Sequence, residues 1–287
     1  MIALLEELNP WWHEHFKDSF VKREKYLVAL KNVLDKKEVI LLTGMRRVGK
    51  TTLLKQMILH LLEKEVPSKH ILFLSLDLLA FSEYSIYDII QEYKRLHKIS
   101  NTTYVYLFLD EITYKKDFNQ ELKNLYDLGN YKIYASSSSA SALSDNKAFL
   151  TGRSRYIEVQ PLDFKEFISF KGYDFENISQ SMLKGFFDDY MKEGGIPEYI
   201  LTKDEVYLSE LAEFIIEKDV ISKHGIRNKK VVFDLYKLLC ERVGKQISYN
   251  NLAKILSVDN ETISRYVQYF LDTYLFYQIE VKDKINV

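Results

Sequence analysis

The sequence predicts an α/β fold, with a doubly wound parallel sheet in the first half of the chain and helices beyond it. Two observations carry this. Five short apolar runs, at residues 39–42, 71–76, 104–109, 131–135 and 156–159, recur with mostly helical stretches between them. Runs that are apolar throughout indicate strands covered on both faces, as in a parallel sheet. Strand and helix in alternation then imply helices packed on both sides of that sheet.

Taken in order, residues 1–38 read as helical and irregular, broken by the aromatic knot Asn9-Pro10-Trp11-Trp12. The apolar opening from Met1 to Leu5 is interrupted by Glu6 and Glu7, which speaks against a signal peptide or membrane span and makes a cytoplasmic location the expectation. After the fifth run, short helices follow, with turns at Lys171-Gly172 and Glu193-Gly194-Gly195-Ile196-Pro197. From about Asp204 the pattern is helical nearly to the end, and no flexible linker interrupts the chain. The divisions expected are therefore 1–160, 161–204 and 205–287.

Composition narrows the function classes. Gly (10) and Pro (4) are scarce in 287 residues, which favours helices and short loops. The net charge of −1 gives no global basic field for nucleic acid or an anionic membrane. The single cysteine, Cys240, excludes an intramolecular disulfide, and its neighbours Leu238, Leu239 and Val243 suggest a buried position. His13 and His15 have metal-like spacing, but no further ligand lies nearby, so no metal is assigned to them.

The chemistry is concentrated after the first strand. Gly44-Met45-Arg46-Arg47-Val48-Gly49-Lys50-Thr51 fits the P-loop (Walker A) pattern G-x-x-x-x-G-K-[ST] at every fixed position. Gly44 and Gly49 let the backbone curl so that successive N–H groups point at phosphate oxygens. Lys50 brings positive charge to the β- and γ-phosphates, and the Thr51 hydroxyl ligates Mg²⁺. Thr52 continues into the helix, whose positive dipole end faces the phosphates. A strand before and an amphipathic helix after (Leu53, Leu54, Met57, Leu61) supply the setting that the motif requires.

The third apolar run ends in Asp110-Glu111, a Walker B pattern some 60 residues after the P-loop. Both acids should emerge at the carboxyl edge of the sheet, where the P-loop also lies. Asp110 is read as completing the magnesium site, and Glu111 as the base that polarises the attacking water. A glutamate in that position argues for hydrolysis of ATP over phosphoryl transfer to a small molecule. The fourth run leads into Ser136-Ser137-Ser138-Ser139, where a polar side chain, Ser138, could contact the γ-phosphate or orient the water. Arg153 in Gly152-Arg153, with Arg155 as competitor, is the candidate arginine for transition-state charge, within its own chain or across an interface.

With these residues in hand the chain resembles a prokaryotic, mostly archaeal, family of AAA-type ATPases. The resemblance rests on Asn9-Pro10-Trp11-Trp12, Arg23-Glu24, the doubled arginine Arg46-Arg47 and the Asp110-Glu111 pair. It extends through the serine run, Gly152-Arg153, Pro161-Leu162-Asp163-Phe164-Lys165-Glu166-Phe167 and Gly194-Gly195-Ile196-Pro197-Glu198. It implies an ASCE-type P-loop NTPase core with strand order 5-1-4-3-2, a helical lid at 161–204 and a winged-helix domain at 205–287. It also suggests that Arg23-Glu24 flank an adenine pocket. Family members often carry a further domain resembling restriction-type nucleases; no nuclease chemistry is assigned to this chain. The family usually has Thr-Gly-Ser where Ser136-Ser137-Ser138 stand here.

The C-terminal third carries a helix-turn-helix pattern. Residues 231–243 form an amphipathic helix, and Ser248 caps a short one burying Leu252, Ile255 and Leu256. A turn at Ser257-Val258-Asp259-Asn260 starts the next, whose Ile263, Val267, Phe270 and Leu271 share one face. Residues 262–270 would be the nominal recognition helix, exposing Arg265 and Gln268. Residues 203–287 hold 13 Lys and Arg against 13 Asp and Glu, so DNA is only one of the partners to consider. The others are a protein partner or a second copy of the chain, besides ATP and ADP themselves.

Overall fold

A computed structural model describes residues 1–14, 16–17, 19–139 and 150–279. The chain divides into two compact units, Met1–Lys203 and Asp204–Val287.

The first unit is built on a sheet of β1 (Val39–Thr43), β2 (Ile71–Ser75), β3 (Val105–Asp110), β4 (Tyr131–Ser137) and β5 (Ser154–Glu158). The order is β2-β3-β4-β1-β5 and every neighbouring pair is parallel, which is the order 5-1-4-3-2 read from the other edge. Each strand begins and ends within two residues of its apolar run. Every residue of β1 and β4 is buried, as expected of central strands covered on both faces. The crossover helices are α3 (Lys50–Glu63), α4 (Ile86–His97) and α5 (Phe118–Leu128), preceded by α1 (Ile2–Leu8) and α2 (Glu24–Lys31). Their buried residues, such as Leu53, Leu54, Met57, Ile58 and Leu61 of α3, recur at helical spacing.

The N-terminal knot shields the open edge of the sheet. Asn9, fully buried at the end of α1, donates through Nδ2 to the Phe73 carbonyl (3.0 Å) and accepts at Oδ1 from the Phe73 N–H (2.6 Å). Its side-chain amide thus pairs with edge strand β2 as a neighbouring strand would. Trp11 and Trp12 both donate their indole N–H to the Ile71 carbonyl, at 3.3 and 2.9 Å. Unpaired edge groups invite association with other chains, and these side chains occupy them. Replacement of Asn9 by alanine strands a buried N–H and C=O of Phe73. Urea denaturation is expected to show a loss of about 2–3 kcal/mol, and light scattering an increased tendency to self-associate; unchanged stability would sink this account of the knot.

Lys132 of β4 is fully buried and donates to the carbonyls of Val33, Lys36 and Glu38, tying the loop after α2 to the sheet. Burial pushes its amine down to about 8.

Beyond β5 come α6 (Phe164–Phe170), α7 (Gln180–Glu193) and α8 (Pro197–Thr202), around a small core of Leu162, Phe167, Ile168 and Ile200. Gly195 is required by close approach. A Cβ there would stand 2.4 Å from the Leu162 carbonyl oxygen, while the Leu162 N–H donates to the Gly195 carbonyl at 2.7 Å.

The second unit contains α9 (Glu205–Phe214), a wider π-helical continuation (Ile215–Ser222), α10 (Lys229–Cys240), α11 (Tyr249–Leu256) and α12 (Asn260–Asp272). Ser248 and Asp259 cap α11 and α12 through the N–H groups of Asn251 and Thr262, as the sequence suggested. Leu252, Ile263, Val267 and Phe270 lie in one core with Val232, Leu235 and Leu239. Two expectations fail on helical phase. Cys240 is exposed, because it follows Leu239 by one residue, about 100° around α10. Ile255 is 55% exposed, because Leu252 and Ala253 form the inner face of α11. Among the described residues the unit holds no strand, so the wing implied by the resemblance is not among them.

Candidate functional site

The parallel register brings the carboxyl ends of β1, β3 and β4 side by side: Thr43 pairs with Ser137, and Leu109 with Ala135. The loop that follows β1 needs both of its glycines. Gly44 has φ +139°, and a Cβ there would stand 2.1 Å from the Val159 carbonyl oxygen; Gly49 has φ +95° as it opens α3. Arg47, between them, also takes a positive φ of 65°. No side chain caps the first N–H groups of α3, which leaves that helix start suited to an anion.

Lys50 is 5% exposed and turns its Nζ back into the curl, donating to the carbonyls of Gly44 (2.8 Å) and Met45 (2.9 Å). The Thr51 hydroxyl donates to Asp110 Oδ2 at 2.6 Å. The Ser136 hydroxyl donates to the other oxygen of the same carboxylate. Burial raises the Asp110 carboxyl, against the hydrogen bonds from Ser136 and Thr51 that lower it.

Glu111 takes a left-handed conformation, φ 50° and ψ 50°, which a glutamate adopts only at some cost. Its N–H donates to Ser136 Oγ at 3.0 Å, and the Ser138 hydroxyl donates to Glu111 Oε2 at 3.0 Å. Beside them Thr113 and Ser137 share a hydroxyl contact of 3.3 Å, and Arg46 reaches Tyr114 OH at 3.2 Å. Lys50, Thr51, Asp110, Glu111 and Ser138 therefore meet on one edge of the sheet, together with Ser136, which sequence reasoning did not single out. The available signal was its place within β4 at the strand's carboxyl end, level with the acids that follow β3.

Two candidates are not brought there. Arg153 lies at the amino edge of the sheet, next to Ser154, which pairs with Val39 at the start of β1. It faces Asp127 at 3.5 Å and the ring of Tyr126 at 5.8 Å. A transition-state role within this chain is thereby withdrawn, because the full length of β1 separates it from the loop. Arg155, on the same edge, is 3.0 Å from Glu38. Arg23, which the resemblance sets beside an adenine pocket, is 3% exposed, and its N–H groups bond to Val48, Gln160 and Glu166. His15 lies outside the described residues, and His13 stands 3.7 Å from Glu6. Among the described residues no cluster of His, Cys, Asp and Glu has the form of a metal site, and no helix is long and apolar enough to cross a membrane.

The Thr51 hydroxyl and Asp110 carboxylate form a hard-oxygen pair of the kind that Mg²⁺ takes alongside water and phosphate oxygens, so these residues fit that ion.

Residues 36–168 match a family model described as an AAA domain, and residues 185–286 match one described as a domain of unknown function. An uncharacterized protein of Haemophilus influenzae is 28% identical over 92% of this chain and 68% of its own length. Two uncharacterized proteins of Methanocaldococcus jannaschii are 34% and 29% identical, over 60% and 91% of this chain. The chain spans 42% and 60% of the lengths of those two relatives. Among solved structures, the S. cerevisiae Hsp104-ADP complex is similar at TM-score 0.46 and 15% identity, over 89% of this chain and 39% of that one. AMPPCP-bound DnaA from Aquifex aeolicus is similar at TM-score 0.39 and 18% identity, over 91% of both chains. The AAA-domain match coincides with the sheet and the phosphate loop, and with the strand order it supports a nucleotide-binding, AAA-type P-loop ATPase fold.

Proposed function

We propose, from an AAA domain whose phosphate loop faces a paired Asp-Glu, that this chain binds ATP with Mg²⁺, hydrolyses it, and couples nucleotide state to movement of its C-terminal helical unit. The observation that carries the reading is the hydrogen-bonded set Thr51, Asp110, Ser136, Glu111 and Ser138 beside Lys50. Met45, Arg46, Arg47, Val48 and Thr52 complete the nucleotide-binding stretch. Thr51 and Asp110 would hold the ion, which when bound offsets charge across the β- and γ-phosphate oxygens. Lys50 exchanges its loop carbonyls for phosphate oxygens. Glu111 accepts a proton from water at Oε1 or Oε2, and Ser138 fixes the orientation of that carboxylate.

Removing the Ser138 hydroxyl loosens Glu111 without touching the loop. Turnover by Ser138→Ala is expected to fall about tenfold, the equivalent of one hydrogen bond, with ATP affinity unchanged in a mant-ATP titration. Wild-type turnover in this variant would separate Ser138 from the water-activating group.

Two alternatives concern the partner. A DNA-processing ATPase predicts turnover that rises with duplex or single-stranded DNA and affinity that falls steeply with salt. A slowly hydrolysing signalling or defence switch, acting on a protein partner, predicts bound nucleotide and no response to DNA. The second is favoured by the balanced charge of residues 203–287, and by Arg265 and Gln268 bonding to Thr262 and Asp272 of their own helix. ATP turnover measured with and without DNA separates the two. The helical lid at 161–204 and the winged helix at 205–287 are part of this proposal, as is a cytoplasmic location.

A further inference from the structure

Arg23 contributes no group to the phosphate-binding edge, yet it is bonded to the loop. It precedes α2, is 3% exposed, and spends its planar fork on three separate parts of the chain. Nη1 donates to the carbonyl of Val48, two residues before Lys50, at 2.8 Å. Nη2 donates to the Gln160 carbonyl at 2.9 Å, just beyond β5. Nε and Nη2 hold both oxygens of Glu166, in the first turn of α6, at 2.9 and 2.7 Å.

The surroundings leave this fork little room. The Tyr26 ring lies 4.6 Å from the guanidinium carbon, and its hydroxyl accepts from the Gln160 N–H at 3.0 Å. Glu166 closes a capping box with Asp163, and Lys25 reaches Glu166 at 3.1 Å and Asp163 at 2.5 Å. Gly44 rests against the Val159 carbonyl with no space for a Cβ, so the start of the loop and the strand leading to α6 are also in contact. A buried guanidinium must keep its donors satisfied, and its geometry is rigid. A shift of the Val48 carbonyl, as phosphate draws the neighbouring N–H groups, therefore carries Glu166 and the start of α6 with it.

We infer that Arg23, through Glu166, is a positioning residue that couples occupancy of the phosphate loop to the placement of the helical segment α6–α8. The inference rests on the nucleotide-binding reading above. Lysine cannot replace it: a single nitrogen with three donors cannot reach two carbonyls and both carboxylate oxygens.

The test is hydrogen exchange on the full chain, with and without ATP and Mg²⁺, for wild type, Arg23→Lys and Glu166→Gln, alongside mant-ATP affinity and turnover. In wild type, ATP should slow exchange both in α3 and in residues 164–203. In each variant the protection of α3 and the affinity should persist. The ATP-dependent protection of 164–203 should vanish, and kcat should fall about tenfold, as for the loss of one charge-assisted bond, with little change in KM. Should Arg23→Lys fail to fold, Glu166→Gln, which keeps the size and capping position of that side chain, decides alone. Protection of 164–203 that persists in a folded variant overturns the inference, as does wild-type protection confined to α3. No protection anywhere in wild type would instead overturn nucleotide binding itself, and the coupling with it.

Discussion

Replacing Glu111 by glutamine is expected to lower ATP turnover by about 10²–10⁴-fold, the usual contribution of a positioned general base, while ATP still binds. The substitution is nearly isosteric. The backbone N–H of residue 111 keeps its bond to Ser136, and the side-chain oxygen of glutamine can still accept from Ser138. What is lost is the basic carboxylate. Asp110, Thr51 and Lys50 are untouched, so affinity should be close to that of wild type in a mant-ATP titration. Quenched-flow measurement of phosphate release reads the loss directly. A variant that turns over at the wild-type rate would remove Glu111 from the chemistry and leave a binding protein without an assigned base.

Replacing Lys50 by alanine should act at the earlier step. Its ammonium is seated within the curl of the loop, 2.8 and 2.9 Å from the Gly44 and Met45 carbonyls. A charge-assisted bond is worth roughly 1.5–3 kcal/mol, so ATP affinity is expected to fall about 10- to 150-fold. The fold should survive, since the carbonyls released lie in a loop that water can reach once the side chain is gone. Titration calorimetry with circular dichroism checks both halves. Undiminished affinity in a folded variant would contradict the assignment of this loop.

Much of this arrangement was legible in the chain because the determinants are local. Strands buried on both faces read as largely apolar runs, which is why β1 to β4 fall within two residues of expectation; β5, an edge strand with no fully buried residue, is legible only from apolar Tyr156, Ile157 and Val159. The P-loop is legible because its glycines are demanded by backbone geometry, φ +139° at Gly44 and +95° at Gly49. Asp110 and Glu111 are legible because a strand's carboxyl end points at the same edge as the loop.

What escaped was non-local or a matter of phase. Arg23 and Glu166 are 143 residues apart and stood in two separate stretches of the family resemblance; only the fold makes them a buried pair. Arg153 looked available until the register set it beside Asp127 at the far edge. Asn9 read as a helix breaker, and its pairing with Phe73 depends on which strand ends the sheet. Cys240 read as buried because its neighbours are apolar, but a helix buries a stripe, and one residue beyond Leu239 lies off it.

The account stands or falls on steady-state phosphate release from ATP by the 287-residue chain, measured with Mg²⁺ and again with the metal chelated. It predicts turnover that needs the metal and is lost in both Lys50→Ala and Glu111→Gln. Turnover that persists in both variants would place the activity elsewhere, and a chain that neither binds nor hydrolyses ATP would contradict the assignment of the site.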